Sequence, residues 1–301
     1  MTETSFNQSV IDEFRANQGK VGGYFEGSEL LLLTTTGARS GKPHTVPLGF
    51  VRHEGDLLIV GSNMGAPAHP AWYHNVLAHP MVQVEVGAEE YQAVAVPAEG
   101  ARRDRLFAQV VAVEPGYGDY QRGTTRVLPV VVLERNDPAP GEGPAEVRTL
   151  ADKILEVHVW LRGQLRHVAA ETEAYFARRD ASQAALPGLG LQIRQHCLAF
   201  CQALEFHHTG EDTHVFPGVE AYHPHLKDAL DRLRAEHRSV ARLQQSLAGL
   251  IADVGSADPE VFRTELARMS MELTAHLDHE EETLLPLLAE VPFPPGPPPA
   301  A

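Results

Sequence analysis

Cysteine is almost absent: Cys197 and Cys201 are the only two in 301 residues. They stand one helical turn apart in an apolar pattern, where Cβ directions disfavour a bridge, and so few cysteines fit a reducing compartment rather than a disulfide scaffold. Both read as core thiols. No apolar run approaches the roughly 18 residues of a membrane-spanning helix, and the N-terminal stretch has no signal-peptide-like apolar segment. The expected location is therefore the cytoplasm. Basic residues are the minority, 25 Lys and Arg against 40 Asp and Glu, for a formal charge of −15. A nucleic-acid surface needs clustered Lys and Arg, so nucleic acid is not an expected partner. No G-x-G-x-x-G follows a strand-like run, which leaves a nicotinamide Rossmann site unsupported. The length and a hydrophobic content of 43% leave room for two domains with sizeable cores.

The first functional signal comes from polar residues that interrupt apolar patterns. Glu205 to Pro217 reads EFHHTGEDTHVFP, two histidines and a run of carboxylates inside an otherwise apolar helix. Ile193, Cys197, Phe200, Leu204, His207 and Glu211 are separated by steps of four and three, so they share one stripe whose polar members point into a core. Three more stripes have the same form. They are Ile154, His158, Leu161, Leu165 and Val168; then Leu226, Leu230, Leu233, His237, Val240, Leu247, Ile251 and Val254; then Phe262, Leu266, Met269, Leu273, His276, Glu280, Leu284 and Leu287. Four amphipathic helices with short connections predict an antiparallel bundle over 150–290, with four histidines and two glutamates inside. A lone histidine on an apolar stripe is more often a hydrogen-bonded core residue. Six polar groups in register are a different case, because each neutral group buried without a partner costs roughly 1–3 kcal/mol and a carboxylate more. A pair of metal ions removes that cost, and imidazoles with bridging carboxylates suit iron, manganese or zinc.

At these positions the chain resembles the hemerythrin-like (HHE cation-binding) family, over about residues 150–288. The motifs are a lone His158, H-x-x-x-E at His207 and Glu211, a lone His237, and H-x-x-x-E at His276 and Glu280, with VFP after the second. The resemblance implies a four-helix bundle with a non-haem di-iron centre, two iron ions bridged by Glu211 and Glu280 with the four histidines terminal. Oxygen, peroxide or nitric oxide is the implied ligand. Oxygen-carrying hemerythrins have a second histidine one turn later on the third helix, where this chain has Ala241, so reversible oxygen carriage is not expected. His208 and His279 are alternative candidates for a fifth imidazole, and the seam favours Glu280 over Glu281.

The N-terminal part is patterned differently. Phe6, Val10, Ile11 and Phe14 lie at helical spacing before Gly19, Gly22 and Gly23 end the pattern. Leu30–Thr36, His44–Arg52, Leu57–Ser62, MVQVEV, YQAVAV and VLPVVVLE read as strands, with helices predicted at Ala71–Ala78 and Ala101–Val113. Many strands, few helices and tight turns favour an antiparallel barrel. The turn GARSGKP gathers Arg39, Ser40, Gly41 and Lys42. Exposed amides and two cations suit an anionic ligand such as phosphate, and they equally suit an ordinary soluble hairpin tip. NDPAPGEGPAE marks a linker, and PFPPGPPPAA cannot form a core. The predicted organisation is two-domain α+β: a barrel at 1–136, a linker at 137–149, an all-α bundle at 150–290 and a disordered tail at 291–301.

LLLTTTGARSGKPHTVPL, GSNMGAPAHPAWYHNVLAHPMVQV and YGDYQRGTTRVLPVVVLE together resemble the deazaflavin-dependent nitroreductase and quinone reductase family, across residues 5–136. The resemblance implies a split β-barrel that binds the reduced deazaflavin coenzyme F-420. The family's basic loop for the coenzyme phosphate and acidic tail falls on Arg39, Ser40 and Lys42. Its small-residue loop beside the deazaflavin ring falls on Ser62, Asn63, Met64 and Gly65, followed by Trp72, Tyr73 and Asn75. Tyr117 and Tyr120 match tyrosines that border the substrate pocket. His44 stands where the family usually has arginine, and Asn63 where lysine is common, which weakens the expected hold on a polyanionic tail. An aromatic such as Trp72, at the start of a short amphipathic helix, is more often core than cofactor contact.

The expected function is a redox protein that passes a hydride from the reduced deazaflavin to a quinone or nitro acceptor. Fusion to an oxygen-reactive centre raises the hypothesis that the first domain reduces the second. The alternative is an oxygen or iron sensor, or an iron-binding module, whose barrel only sequesters coenzyme. Split barrels often pair, so a homodimer is expected by analogy.

Overall fold

The computed structural model describes residues 3–135, 143–182, 190–251 and 257–293. It has two compact units, Met1–Asn136 with Ala185–Ala199, and Asp137–Ala184 with Phe200–Ala301. Residues 136–142 of the expected linker and 294–301 of the expected tail lie outside the described residues.

The first unit is a closed antiparallel barrel in the order β1-β2-β3-β6-β5-β4. Its strands are β1 (Leu30–Thr36), β2 (Pro43–His53), β3 (Asp56–Val60), β4 (Met81–Val86), β5 (Glu89–Pro97) and β6 (Val130–Arg135). Helices α1 (Glu3–Ala16), α2 (Ala71–Ala78), α3 (Gly100–Val113) and α4 (Gly116–Arg122) accompany them. The continuous apolar strands are those buried on both faces. Leu31 and Leu33 point into the barrel with Leu57, Ile59, Val131 and Leu133, while Leu30 and Leu32 pack outward on Val10, Ile11 and Phe14 of α1. Leu58, Val60, Val130 and Val132 likewise face Leu106 and Val110 of α3. The pairing Leu30↔Gly49 through Thr36↔Pro43 leaves residues 37–42 as the hairpin tip. One element escaped the sequence reading: α4, whose heptapeptide GYGDYQR has no apolar periodicity to announce it. Residues 190–199 belong to this unit as well, where Ala199 packs with Val94 and Val96 and Gln195 Nε2 donates to the Val76 carbonyl at 2.7 Å.

The helical unit is built from α5 (Leu150–Ser182), the part of α6 (Gly190–Gly210) from residue 200 on, α7 (Phe216–Tyr222), α8 (Lys227–Ile251) and α9 (Pro259–Leu288). Local chemistry sets the helix starts. Asp152 accepts the backbone N–H groups of Arg148 and Thr149, while Thr149 Oγ1 accepts the N–H of Asp152, a reciprocal cap for α5. Asp258 Oδ1 accepts the N–H groups of Glu260 and Val261 and caps α9. Between α6 and α7 the chain stays helical but widens into a π-turn over Glu211–Val215. Such a turn adds one residue without ending the helix and so re-aims the side chains around it. No disulfide joins the two cysteines, and burial pushes the Cys201 thiol up to about 12, as suits a core thiol. Among the described residues no helix is long and apolar enough to cross a membrane.

Candidate functional site

Inside the helical unit the polar members of the four stripes meet. His158 on α5, Glu211 at the end of α6, His237 on α8, and His276 and Glu280 on α9 are all buried, and the His207 side chain is 7% exposed. His158 Nε2 lies 2.9 Å from His207 Nε2. Glu211 puts Oε1 3.2 Å from His207 Nε2 and Oε2 3.5 Å from His237 Nε2. Glu280 puts Oε1 3.7 Å from His158 Nε2 and Oε2 3.4 Å from His276 Nε2. Each carboxylate thus faces two different histidines with its two oxygens, as a group between two cations would.

Seven of these buried atoms have no hydrogen-bond partner: both oxygens of Glu211 and of Glu280, and Nε2 of His208, His237 and His276. Native cores rarely tolerate this, since each orphan costs about 1–3 kcal/mol. Among the described residues none makes a hydrogen bond to these atoms, and a metal cation accepts from imidazole nitrogen and carboxylate oxygen at once. The residues therefore fit a cation, and an imidazole and carboxylate set suits a first-row metal. Without a cation the pocket favours neutral groups. Burial, reinforced by Glu280, raises the Glu211 pKa well above its ordinary value. Burial and the neighbouring imidazoles lower those of His207, His208 and His237.

The outward nitrogens are anchored. His158 Nδ1 donates to Glu281 Oε1 at 2.9 Å, and Arg162 holds the same oxygen at 2.6 Å. His237 Nδ1 donates to Asp212 Oδ1 at 3.0 Å, and His276 Nδ1 to Glu236 Oε2 at 3.2 Å. Carboxylates on Nδ1 orient each ring and leave the Nε2 lone pair facing inward, as outer-shell partners of metal ligands do. Glu281 thus takes an outer place, and Glu280 the inner one that the seam favours. Asp212 and Glu236 were missed by sequence reading; each adjoins a ligand candidate in the chain, Glu211 or His237, which is the signal that was available.

In the barrel, the tip 37–42 is closed by Gly37 N–H to the Lys42 carbonyl and Gly41 N–H to the Gly37 carbonyl, both 2.8 Å, with Gly41 at φ +63°. Ser40 Oγ lies 3.2 Å from His44 Nε2 and accepts the Lys42 N–H. Arg39, Ser40 and Lys42 are exposed. Asn75 ties the tip to α2, accepting the Ala38 N–H and donating to Thr35 Oγ1, both at 3.0 Å. The second loop is strained. Asn63, Met64 and Gly65 have φ of 46°, 52° and 80°, and left-handed non-glycine residues cost of order 1 kcal/mol each. Arg126 offsets that strain: its guanidinium donates to the carbonyls of Gly61, Ser62 and Ala66 and meets His69 Nδ1 at 3.0 Å. Met64 is exposed, while Trp72 is buried in the barrel core and Tyr73 half-buried against it. Tyr117 and Tyr120 sit together on α4 with ring centroids 6.2 Å apart. A Cβ at Gly49 would come within 3.3 Å of the Tyr117 hydroxyl, and one at Gly65 within 3.5 Å of the Tyr120 carbonyl. Burial raises the Tyr117 pKa, so its hydroxyl keeps its proton.

Comparison with known proteins also separates the chain after residue 135, although its second match takes in residues 190–199, which pack with the barrel unit. Residues 7–135 match the family model of the F420H(2)-dependent quinone reductase, and residues 149–288 that of the hemerythrin HHE cation binding domain. A Mycobacterium tuberculosis protein described as an F420H(2)-dependent quinone reductase is 39% identical over 127 residues, which are 40% of this chain and 85% of that one. The chain belongs to the F420H(2)-dependent quinone reductase family. It is accordingly of the oxidoreductase class and carries a hemerythrin-like domain in addition. A solved F420-H2 dependent reductase is 40% identical, covering 35% of this chain and 93% of its own, with a TM-score of 0.33. A second, described as a domain-swapped dimer, is 36% identical and covers 44% and 100%, with a TM-score of 0.35. In this quinone reductase family member the structure joins the tip to α2 through Asn75 and places Gly65 beside Tyr120. Arg126 went unassigned although it lies in the quoted YGDYQRGTTRVLPVVVLE: nothing local marks an arginine whose partners are carbonyls some 60 residues earlier.

Proposed function

We propose that the barrel is a reductase that uses reduced F420 to reduce a quinone, with nitro compounds as further electron-poor acceptors, and that the helical unit holds two iron ions. The observation that carries the metal half is the pair of buried carboxylates, each with its two oxygens turned to different histidines. Family membership supports the barrel half.

When bound, the coenzyme supplies a hydride, and the iron pair supplies one-electron redox chemistry with open positions for oxygen, peroxide or nitric oxide. The protein's own work is binding and orientation. Arg39, Lys42 and the Ser40 hydroxyl offer an anionic tail two cations and a donor on a tip held in place by Asn75. The Ser62–Gly65 loop, clamped by Arg126, offers backbone and small side chains where a flat ring needs close approach. Tyr117, protonated throughout the neutral range, donates a hydrogen bond to the acceptor's oxygen, and Tyr120 lines the same face. His158, His207, His237, His276, Glu211 and Glu280 hold the metal, and the outer carboxylates fix the rings.

Anaerobic stopped-flow mixing of the iron-analysed, full-length protein with reduced deazaflavin and a soluble menaquinone analogue tests the barrel half. Rapid oxidation of the coenzyme is expected. Tight binding without turnover on any acceptor would replace the reductase reading with that of a coenzyme-sequestering module. In the same assay Arg39→Ala combined with Lys42→Ala is expected to weaken coenzyme binding about ten- to a hundredfold, since each charge-assisted contact contributes about 1.5–3 kcal/mol, discounted for exposure. The salt dependence of binding should shrink and iron content should not change. Equal affinity in the variant would move the anionic tail elsewhere.

A further inference from the structure

The proposed di-iron pocket has an unassigned buried donor, His208. We propose that His208 is the fifth imidazole ligand, supplied by α6 in place of a second histidine on α8, where Ala241 has no donor. This rests on the di-iron reading above.

His208 is buried, and its Nε2 has no hydrogen-bond partner. Its donor atom lies with those of His237 and His276 in a group whose members are all within 4.8 Å of one another. The His208 ring stacks on His237 at 4.0 Å between centroids and 12° between planes, and meets His276 edge-on at 5.0 Å. The three rings thus lie side by side on three helices, and it is the closeness of their donor atoms that lets one cation take all three. The rival, His279, is 24% exposed and gives Nδ1 to Glu236 at 3.1 Å, so it belongs to the outer layer with the carboxylate that holds His276.

Helix geometry explains how one segment can serve both ions. Successive residues diverge by about 100° around an α-helix, so His207 and His208 face different directions from adjacent positions. His207 turns to His158, with Nε2 atoms 2.9 Å apart, and His208 turns to His237 and His276. Glu211, at the entry to the π-turn, then reaches both groups with one oxygen each. The donors sort unequally. One ion receives His208, His237, His276 and an oxygen from each glutamate; the other receives His158, His207 and the remaining two oxygens. The two ions would therefore be inequivalent, with fewer protein donors on the His158 and His207 side.

The test is Mössbauer spectroscopy and iron analysis of the full-length protein reconstituted with 57Fe, alongside His208→Ala, His208→Gly and His279→Ala. The wild type is expected to hold two irons per chain as two quadrupole doublets of equal area. His208→Ala should lose one iron or change the parameters of one doublet, and His279→Ala should leave both unchanged. His208→Gly given free imidazole should regain the wild-type spectrum, which separates a lost ligand from a misfolded chain. Two irons with both doublets unaltered in His208→Ala, the change appearing in His279→Ala instead, or no recovery with imidazole in folded His208→Gly would overturn the assignment. A wild type that binds no iron pair would instead remove the di-iron reading itself.

Discussion

His207→Ala is expected to empty the helical unit of metal and to lower its melting transition sharply in iron-loaded protein. His207 Nε2 is within 3.2 Å of Glu211 Oε1 and 2.9 Å of His158 Nε2, so its loss removes a donor from the side that already has the fewest. A ligand that binds only the folded state stabilises by RT ln(1 + [L]/Kd), about 4 kcal/mol when free metal is a thousand times Kd. Most of that linkage should vanish. In chelated protein the outcome differs: alanine there deletes an imidazole that burial already disfavours, and what remains is a cavity of order 1–2 kcal/mol. The contrast between loaded and chelated samples, read by calorimetry with iron analysis, is the signature of a ligand. Unchanged iron content and an equal shift in both samples would make His207 an ordinary core residue.

The second large effect is a reversal of pH dependence in metal-free protein. His207, His208 and His237 have lowered pKa values in the fold, so the unfolded chain takes up protons that the fold does not as pH drops below about 6.5. Their contribution is present above that pH and is lost as pH falls. Glu211 is the opposite case: its raised folded pKa gives stability that is present below about 4.5 and is lost as pH rises towards that folded value. Between these limits the histidines outnumber the carboxyl, and each unmatched proton is worth about 1.4 kcal/mol per pH unit. Chelated protein should therefore lose stability steeply as pH falls from about 6.5 towards 5, with Glu211 opposing that loss in part. Where Glu211 holds its proton iron must displace it, so iron affinity should rise with pH until Glu211 ionises unaided. Melting curves of chelated and iron-loaded protein from about pH 5 to 9 check this. A flat metal-free profile would refute the lowered histidines, and a metal affinity independent of pH would show that Glu211 is already a carboxylate before metal binds.

What could be read in advance follows from periodicity. Steps of three and four put His158, His207, His237, His276, Glu211 and Glu280 on apolar stripes, and an apolar stripe must be buried, so a chain of helices had to bring these groups inside. The two-sided runs LLLL and VVV likewise announce strands covered on both faces, and the order of strands and turns announces an antiparallel barrel. A single local turn was also legible, as with the Arg39 to Lys42 tip between β1 and β2. Direction, partners and exceptions to periodicity were not. The π-turn at Glu211–Val215 has no sequence period of its own, and the outer carboxylates Asp212, Glu236 and Glu281 look like ordinary surface acids until the histidines they hold are in place. His208 and His279 were indistinguishable as letters beside a stripe, and only packing buried the first and left the second on Glu236. Trp72 matches a cofactor contact by resemblance but a core residue by pattern, and the tertiary structure puts it in the barrel core. Arg126 clamps a loop about 60 residues away through backbone carbonyls, which every sequence has in equal number. The sequence alone determined which residues are apolar at which period, and hence the elements and the inward polar set. Which nitrogen faces which oxygen was decided only by the tertiary structure, because a contact between distant segments depends on register and rotation that local propensity does not encode.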